Sequence, residues 1–193
     1  MPAILELPEV RQRVSPLSVE EYHRLGEVSE RGRRTELIRG IVIEKMSKSP
    51  LHAAVAKRLY DLLLARLPAG WIVRREDPLT LKDSEPKPDI AVVWGTEAEF
   101  FHAHPSTAEL VVEVAVSSAA LDRENAALYA EAGVKEYWIV LGATREVEVY
   151  RQLEAGGYRE TQIRSLDDLL ACGSFPEVGF KVSDLFAETQ RLG

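Results

Sequence analysis

The run Leu110-Val-Val-Glu-Val-Ala-Val116 carries one charged side chain, Glu113, among six apolar ones. A strand with one wet face alternates apolar and polar residues, so a strand apolar on both faces belongs in the middle of a sheet covered on each side. After it, residues 118–132 read as a helix that Gly133 closes. Tyr137-Trp-Ile-Val-Leu141 returns as a strand whose aromatic pair packs in the core. Gly142-Ala-Thr-Arg145 leads into a further strand over residues 146–152, a hairpin, and Gly156-Gly157 turns the chain once more.

Upstream, Pro88 opens the strand Asp89-Ile-Ala-Val-Val-Trp94, and residues 71–75 and 78–82 read as two more strands. Residues 51–67 place Leu51, Val55, Leu59, Leu62, Leu63 and Leu67 at helical spacing, the firmest helix in the chain. Before it, residues 35–46 hold two β-rich stretches around Arg39-Gly40, a tight hairpin turn that sets Glu36 and Ile38 on one face and Leu37 on the other. Ser18 ahead of Val19-Glu-Glu21 is an N-cap with an acidic first turn, on a short helix weakened at Gly26. Residues 97–105 read as a polar connection, and residues 165–171 and 183–186 as short helices. This order predicts an α/β chain with a mixed sheet flanked by helices on both faces.

A length of 193 residues, 46% hydrophobic and 28% charged, fits one domain. The expected division is an N-terminal arm over residues 1–17 and a domain over 18–193. Ile4, Leu5, Leu7 and Val10 would leave a lone arm apolar and wet, which predicts a homodimer or higher homo-oligomer. The net charge of −7 excludes a polycation built to coat nucleic acid. It is unevenly spread: sixteen basic against fourteen acidic residues up to Ile90, then eight against seventeen, so a polyanion would meet the first half. The single cysteine, Cys172, excludes an intrachain disulfide and a Cys-based zinc cluster and suits a reducing compartment. With no signal-like or membrane-spanning apolar run, a cytoplasmic location is expected.

The informative acids are Asp89 and Glu113, each on a core strand. An unpaired carboxylate there costs several kcal/mol, so Glu113 between Val112 and Val114 needs a partner. A divalent cation is one, since Mg2+ is commonly held by one or two carboxylates and several waters. An Arg or Lys that ties the sheet together is the other. Both acids are expected at the same end of adjacent strands, and without a cation their proximity should raise the pKa of at least one. His52, at the start of the long helix, either contacts phosphate or a metal-bound water or is simply a capping or surface histidine. Glu99, His102 and His104 suggest Zn2+ but lack a third fixed ligand. Arg31, Arg33, Arg34 and Arg39 form the densest basic cluster, either a track for a DNA backbone or a solvated face.

Taken together, Glu36-Leu-Ile-Arg-Gly40, Ser49-Pro-Leu-His52, Pro88-Asp-Ile-Ala-Val-Val93, Val111-Val-Glu-Val114, Gly133-Val-Lys-Glu-Tyr-Trp138 and Val147-Glu-Val-Tyr-Arg151 resemble a bacterial family of restriction-endonuclease-like proteins in the PD-(D/E)XK nuclease superfamily. The resemblance spans about residues 18–186. It implies a restriction-endonuclease-like fold and hydrolysis of DNA phosphodiesters with Mg2+ or Mn2+. It also implies metal ligation by Asp89, Glu113 and an upstream acid, Glu36; with a DNA substrate, Arg33, Arg34, Arg39 and His52 are the residues expected to contact it.

In such nucleases a lysine steadies the attacking hydroxide, and the resemblance places it either at position 115 or four residues before Tyr129. Here those places hold Ala115 and Asn125. Arg123, Lys87 and Lys135 are the candidate substitutes. Two rival readings stand beside the nuclease: a catalytically weakened nuclease fold that binds nucleic acid or protein, and an oligomeric module built on arm exchange.

Overall fold

The computed structural model describes residues 8–11, 13–28 and 35–186. Ile4, Leu5 and Leu7 of the arm and Arg31, Arg33 and Arg34 of the basic cluster lie outside the described residues. The chain divides into two units, Met1–Met46 with Thr80–Pro86 and Ser47–Leu79 with Lys87–Gly193.

In the first unit, the N-terminal arm contains one helical turn, α1 (Pro8–Arg11). Ser18 caps α2 (Val19–Val28) through a reciprocal box. Its amide donates to Glu21 Oε2 at 2.8 Å, and the Glu21 amide donates back to Ser18 Oγ at 3.2 Å. The helix runs past Gly26, where the sequence suggests a weak end. β1 (Thr35–Ile38) and β2 (Ile41–Glu44) form the expected hairpin. Arg39 at φ 52° and Gly40 at φ 75° give the two left-handed residues that such a turn requires. A side chain at Gly40 would meet Pro16 Cβ at 2.3 Å, so glycine is needed for space as well. Glu36, Leu37 and Ile38 are all buried.

Residues 78–82 are irregular, not the expected strand. Leu79 and Leu81 are buried, which is the alternation a strand would show. Pro78, however, has no amide to donate, and the Leu81 amide closes a turn onto the Ser84 carbonyl at 2.9 Å.

The second unit begins with α3 (Pro50–Leu64), whose N-cap Ser49 accepts the His52 amide at 3.2 Å while Pro50 occupies the first turn. Its elements continue as β3 (Trp71–Arg74), β4 (Ile90–Trp94), β5 (Leu110–Ala115), α4 (Ala119–Glu131), β6 (Glu136–Leu141), β7 (Glu146–Glu154) and β8 (Gly157–Arg164). These strands make one six-stranded sheet in sequence order. Only β5 and β6 pair in parallel, joined by the crossover helix α4, and the other neighbours are antiparallel. The expected α/β mixed sheet is the one observed, and every residue of β5 is buried.

Strand alternation assigns the two helices to opposite faces. Val55, Ala56, Leu59 and Leu63 of α3 cluster with Ile90, Val92, Val112 and Val114. The α4 side takes the alternate residues: Tyr129 bonds Glu113, and the Tyr137 hydroxyl donates to the Asp122 carbonyl at 2.9 Å. Leu51, expected to face the core, is 42% exposed. The unit ends with β9 (Leu169–Leu170), β10 (Phe180–Lys181) and α5 (Val182–Phe186). The helix expected over residues 165–171 is absent: Asp168 Oδ2 takes the Ser165 amide at 2.7 Å, and the chain then leaves that turn because Leu169-Leu170 pairs with β10.

Candidate active site

Asp89 is the residue before β4, and β4 pairs with β5 so that Ile90 faces Val112. One step further along this antiparallel register, Asp89 and Glu113 are opposite each other. The expected convergence is present. The Asp89 amide donates to Glu113 Oε2 at 3.2 Å, and the Val114 amide donates to Asp89 Oδ2 at 2.8 Å. Asp89 is 3% exposed and Glu113 7%. The Tyr129 hydroxyl, from α4, donates to Glu113 Oε1 at 3.0 Å.

The segment leading into α3 brings an ammonium and an imidazole to this pair. Lys48 Nζ lies 2.6 Å from Asp89 Oδ1 and His52 Nε2 lies 2.9 Å from Asp89 Oδ2. Lys48 Nζ also lies 3.1 Å from Glu76 Oε1. Ser49, as N-cap, sets the first turn of α3 so that both side chains reach the sheet end. His52 thus both follows a cap and touches the key aspartate. Its Nδ1 is buried with no hydrogen-bond partner among the described residues.

These two groups lower the pKa of Asp89. Burial by itself pushes its carboxyl up, but the hydrogen bonds and charges of His52 and Lys48 together outweigh that and hold it well below the usual carboxylate range. The upward shift expected for an acid pair treats the carboxylates alone, and at Asp89 it fails because an ammonium and an imidazole stand beside it.

The candidate substitutes fall in different places. Arg123 grips Glu148 with a fork, Nε at 3.0 and 3.1 Å and Nη2 at 2.5 Å. Glu148 pairs with Ile139 and Ile139 with Glu113, so this fork sits two strands from Glu113, roughly 10 Å across the sheet. Asn125 is 5% exposed and lies one turn before Tyr129, on the same face of α4. Lys87 is half-buried on the segment leading to Asp89. Lys135 belongs to the opposite end of the sheet, lining a cleft of about 440 Å³ with Trp71, Trp94 and His104.

Glu36, in the first unit, is 7% exposed and its Oε2 lies 3.8 Å from Lys45 Nζ. Arg39, in the same unit, pairs with Asp83 at 3.6 Å. Of the suggested zinc set, His104 Nδ1 accepts from Arg74 Nη2 at 3.1 Å, and Glu99 accepts the Thr96 hydroxyl at 3.3 Å. Among the described residues no group of three His, Cys, Asp or Glu side chains has metal-holding geometry. Sequence reasoning missed Lys48 and Glu76. Lys48 lies four residues before His52 in a Ser-Lys-Ser loop with no periodicity, and only the capping serine hints that this loop is fixed.

The donor chemistry of the acid pair suits a hard divalent cation. Two buried carboxylates share one sheet end, one of them already draws an ammonium to 2.6 Å, and the imidazole beside it has an unpartnered buried nitrogen.

Residues 19–183 match the model of the Uma2 family, described as "Putative restriction endonuclease". A solved structure described as a "putative nuclease belonging to DUF820 from Anabaena variabilis ATCC 29413" is similar in fold, with a TM-score of 0.75 at 20% identity. The similarity covers 89% of this chain and 98% of that one. No curated protein gives a significant match.

Proposed function

The chain belongs to the Uma2 family of restriction-endonuclease relatives, and from that premise we propose that it is a metal-dependent endonuclease that hydrolyses DNA phosphodiester bonds. The observation that carries this reading is the buried Asp89 and Glu113 pair at one end of β4 and β5, faced by Lys48 and His52. Asp89 and Glu113 would hold Mg2+ or Mn2+. When bound, such a cation lowers the pKa of a water and offsets charge on the phosphate. Tyr129 orients Glu113 through its hydroxyl, and the Val114 amide holds the second oxygen of Asp89 in place. Lys48 and His52 keep Asp89 ionised near neutral pH, the state a cation requires.

Supercoiled plasmid and duplex oligonucleotides incubated with Mg2+ or Mn2+ test this directly, with Glu113→Gln as control. Nicking or cutting by the parent and none by the variant is the expected result. DNA binding without cleavage by the parent would replace the nuclease with a binding module.

A further inference from the structure

Hydrolysis of a phosphodiester concentrates negative charge on the attacking oxygen and on the phosphoryl oxygens, and a fixed cation beside the reacting phosphorus is the protein's means of meeting it. Arg123 has its fork closed on Glu148 and Lys135 lines the cleft at the opposite end of the sheet. Lys48 lies against the acid pair itself.

We propose that Lys48 is the catalytic cation of this site, contacting a phosphoryl oxygen of the scissile group, and that Glu76 is its positioning residue. The inference rests on the nuclease reading above. An ammonium has three protons to donate. Lys48 Nζ donates to Asp89 Oδ1 at 2.6 Å and pairs with Glu76 Oε1 at 3.1 Å, and no further protein partner is present among the described residues. The side chain retains 17% exposure. A lysine kept only as a strut would need one carboxylate; this one has two, which fix the nitrogen at a point in space.

Glu76 shows the same purpose in its backbone. It sits at φ 59°, a left-handed conformation that glycine adopts readily and glutamate does not. Its amide donates to the Pro88 carbonyl at 3.1 Å, one residue before Asp89. Glu76 is therefore tied by its backbone to the strand that carries one acid and by its side chain to the lysine. Strain retained at such a junction is characteristic of sites where placement matters.

The test uses the full chain and four measurements on Lys48→Met, Lys48→Arg and Glu76→Gln: single-turnover cleavage of a duplex in Mn2+, Mn2+ binding by titration calorimetry, KM, and thermal unfolding. Lys48→Met is expected to slow cleavage by about 10²- to 10³-fold. Its Mn2+ binding should be unchanged or tighter, because a like charge has been removed from beside Asp89. Lys48→Arg should recover part of the rate, and Glu76→Gln should lower the rate by less than Lys48→Met with KM little changed. Cleavage by Lys48→Met at the parental rate would overturn the proposal while leaving the nuclease intact. So would a rate loss matched by an equal loss of Mn2+ binding or by unfolding, since Lys48 would then be a support for Asp89. A parent that cuts no DNA in either metal ends the nuclease reading, and the role of Lys48 with it.

Discussion

Tyr129 and Glu113 are joined by a 3.0 Å hydrogen bond that ties the crossover helix α4 to the strand preceding it. Both residues are buried, and the acceptor is a carboxylate. Replacing Tyr129 with Phe deletes the donor and leaves the charge. A hydrogen bond to a charged group contributes about 1.5–3 kcal/mol, so Tyr129→Phe should lower unfolding stability in urea by that order. Full stability in the variant would show that Glu113 is held without it.

Leu59 anchors α3 to the sheet with no exposed surface. Leu59→Ala should cost about 2–5 kcal/mol, the transfer of the lost atoms plus the cavity they leave. Chemical denaturation with an unchanged m-value is the check.

The Arg123 and Glu148 fork predicts a pH dependence of stability. The hydrogen bond from Arg123, opposed by partial burial and helped by Tyr150, holds the Glu148 carboxyl below its ordinary 4.5. Folding therefore favours the ionised form, so the pair stabilises the protein above about pH 4.5 and that contribution fades as the pH falls below it. The difference in melting temperature between the parent and Arg123→Ala should be present at neutral pH and shrink in acid. A difference independent of pH would mean that Arg123 stabilises through packing alone.

Cys172 is 2% exposed, and burial, reinforced by the Glu136 charge, pushes its thiol well above the ordinary range. The folded protein should resist a thiol-specific disulfide reagent at mildly alkaline pH and react with one equivalent once unfolded. Rapid labelling of the native protein would show that this part of the core opens readily.

The sheet was legible in the sequence because its strands announce themselves. Leu110 to Ala115 is apolar on both faces, Pro88 marks where a strand can begin, and Gly133 marks where a helix must stop. Asp89 and Glu113 were legible for the same reason: a carboxylate in an apolar strand stands out. Residues 78–82 and 165–171 misled because their apolar spacing suits a strand or a helix, whereas the backbone there is decided by a missing proline amide and by the pairing of Leu169-Leu170 with residues distant in sequence. Lys48 and Glu76 were hidden more deeply. Each acts at a distance in sequence, 41 residues separating Lys48 from Asp89, and no local pattern records such a pairing.

The imidazole and the acids of the site differ in what holds them. Asp89 and Glu113 are held by bonds along β5, whereas His52 depends on the first turn of α3 and its Ser49 cap. Helix ends open at far lower free energy than interior strands. The amide of His52 should therefore exchange with solvent deuterium well before that of Val114. Each such opening would carry the His52 imidazole off Asp89 and leave the acids in register, so Asp89 should lose and regain that partner at the rate at which one helical turn frays.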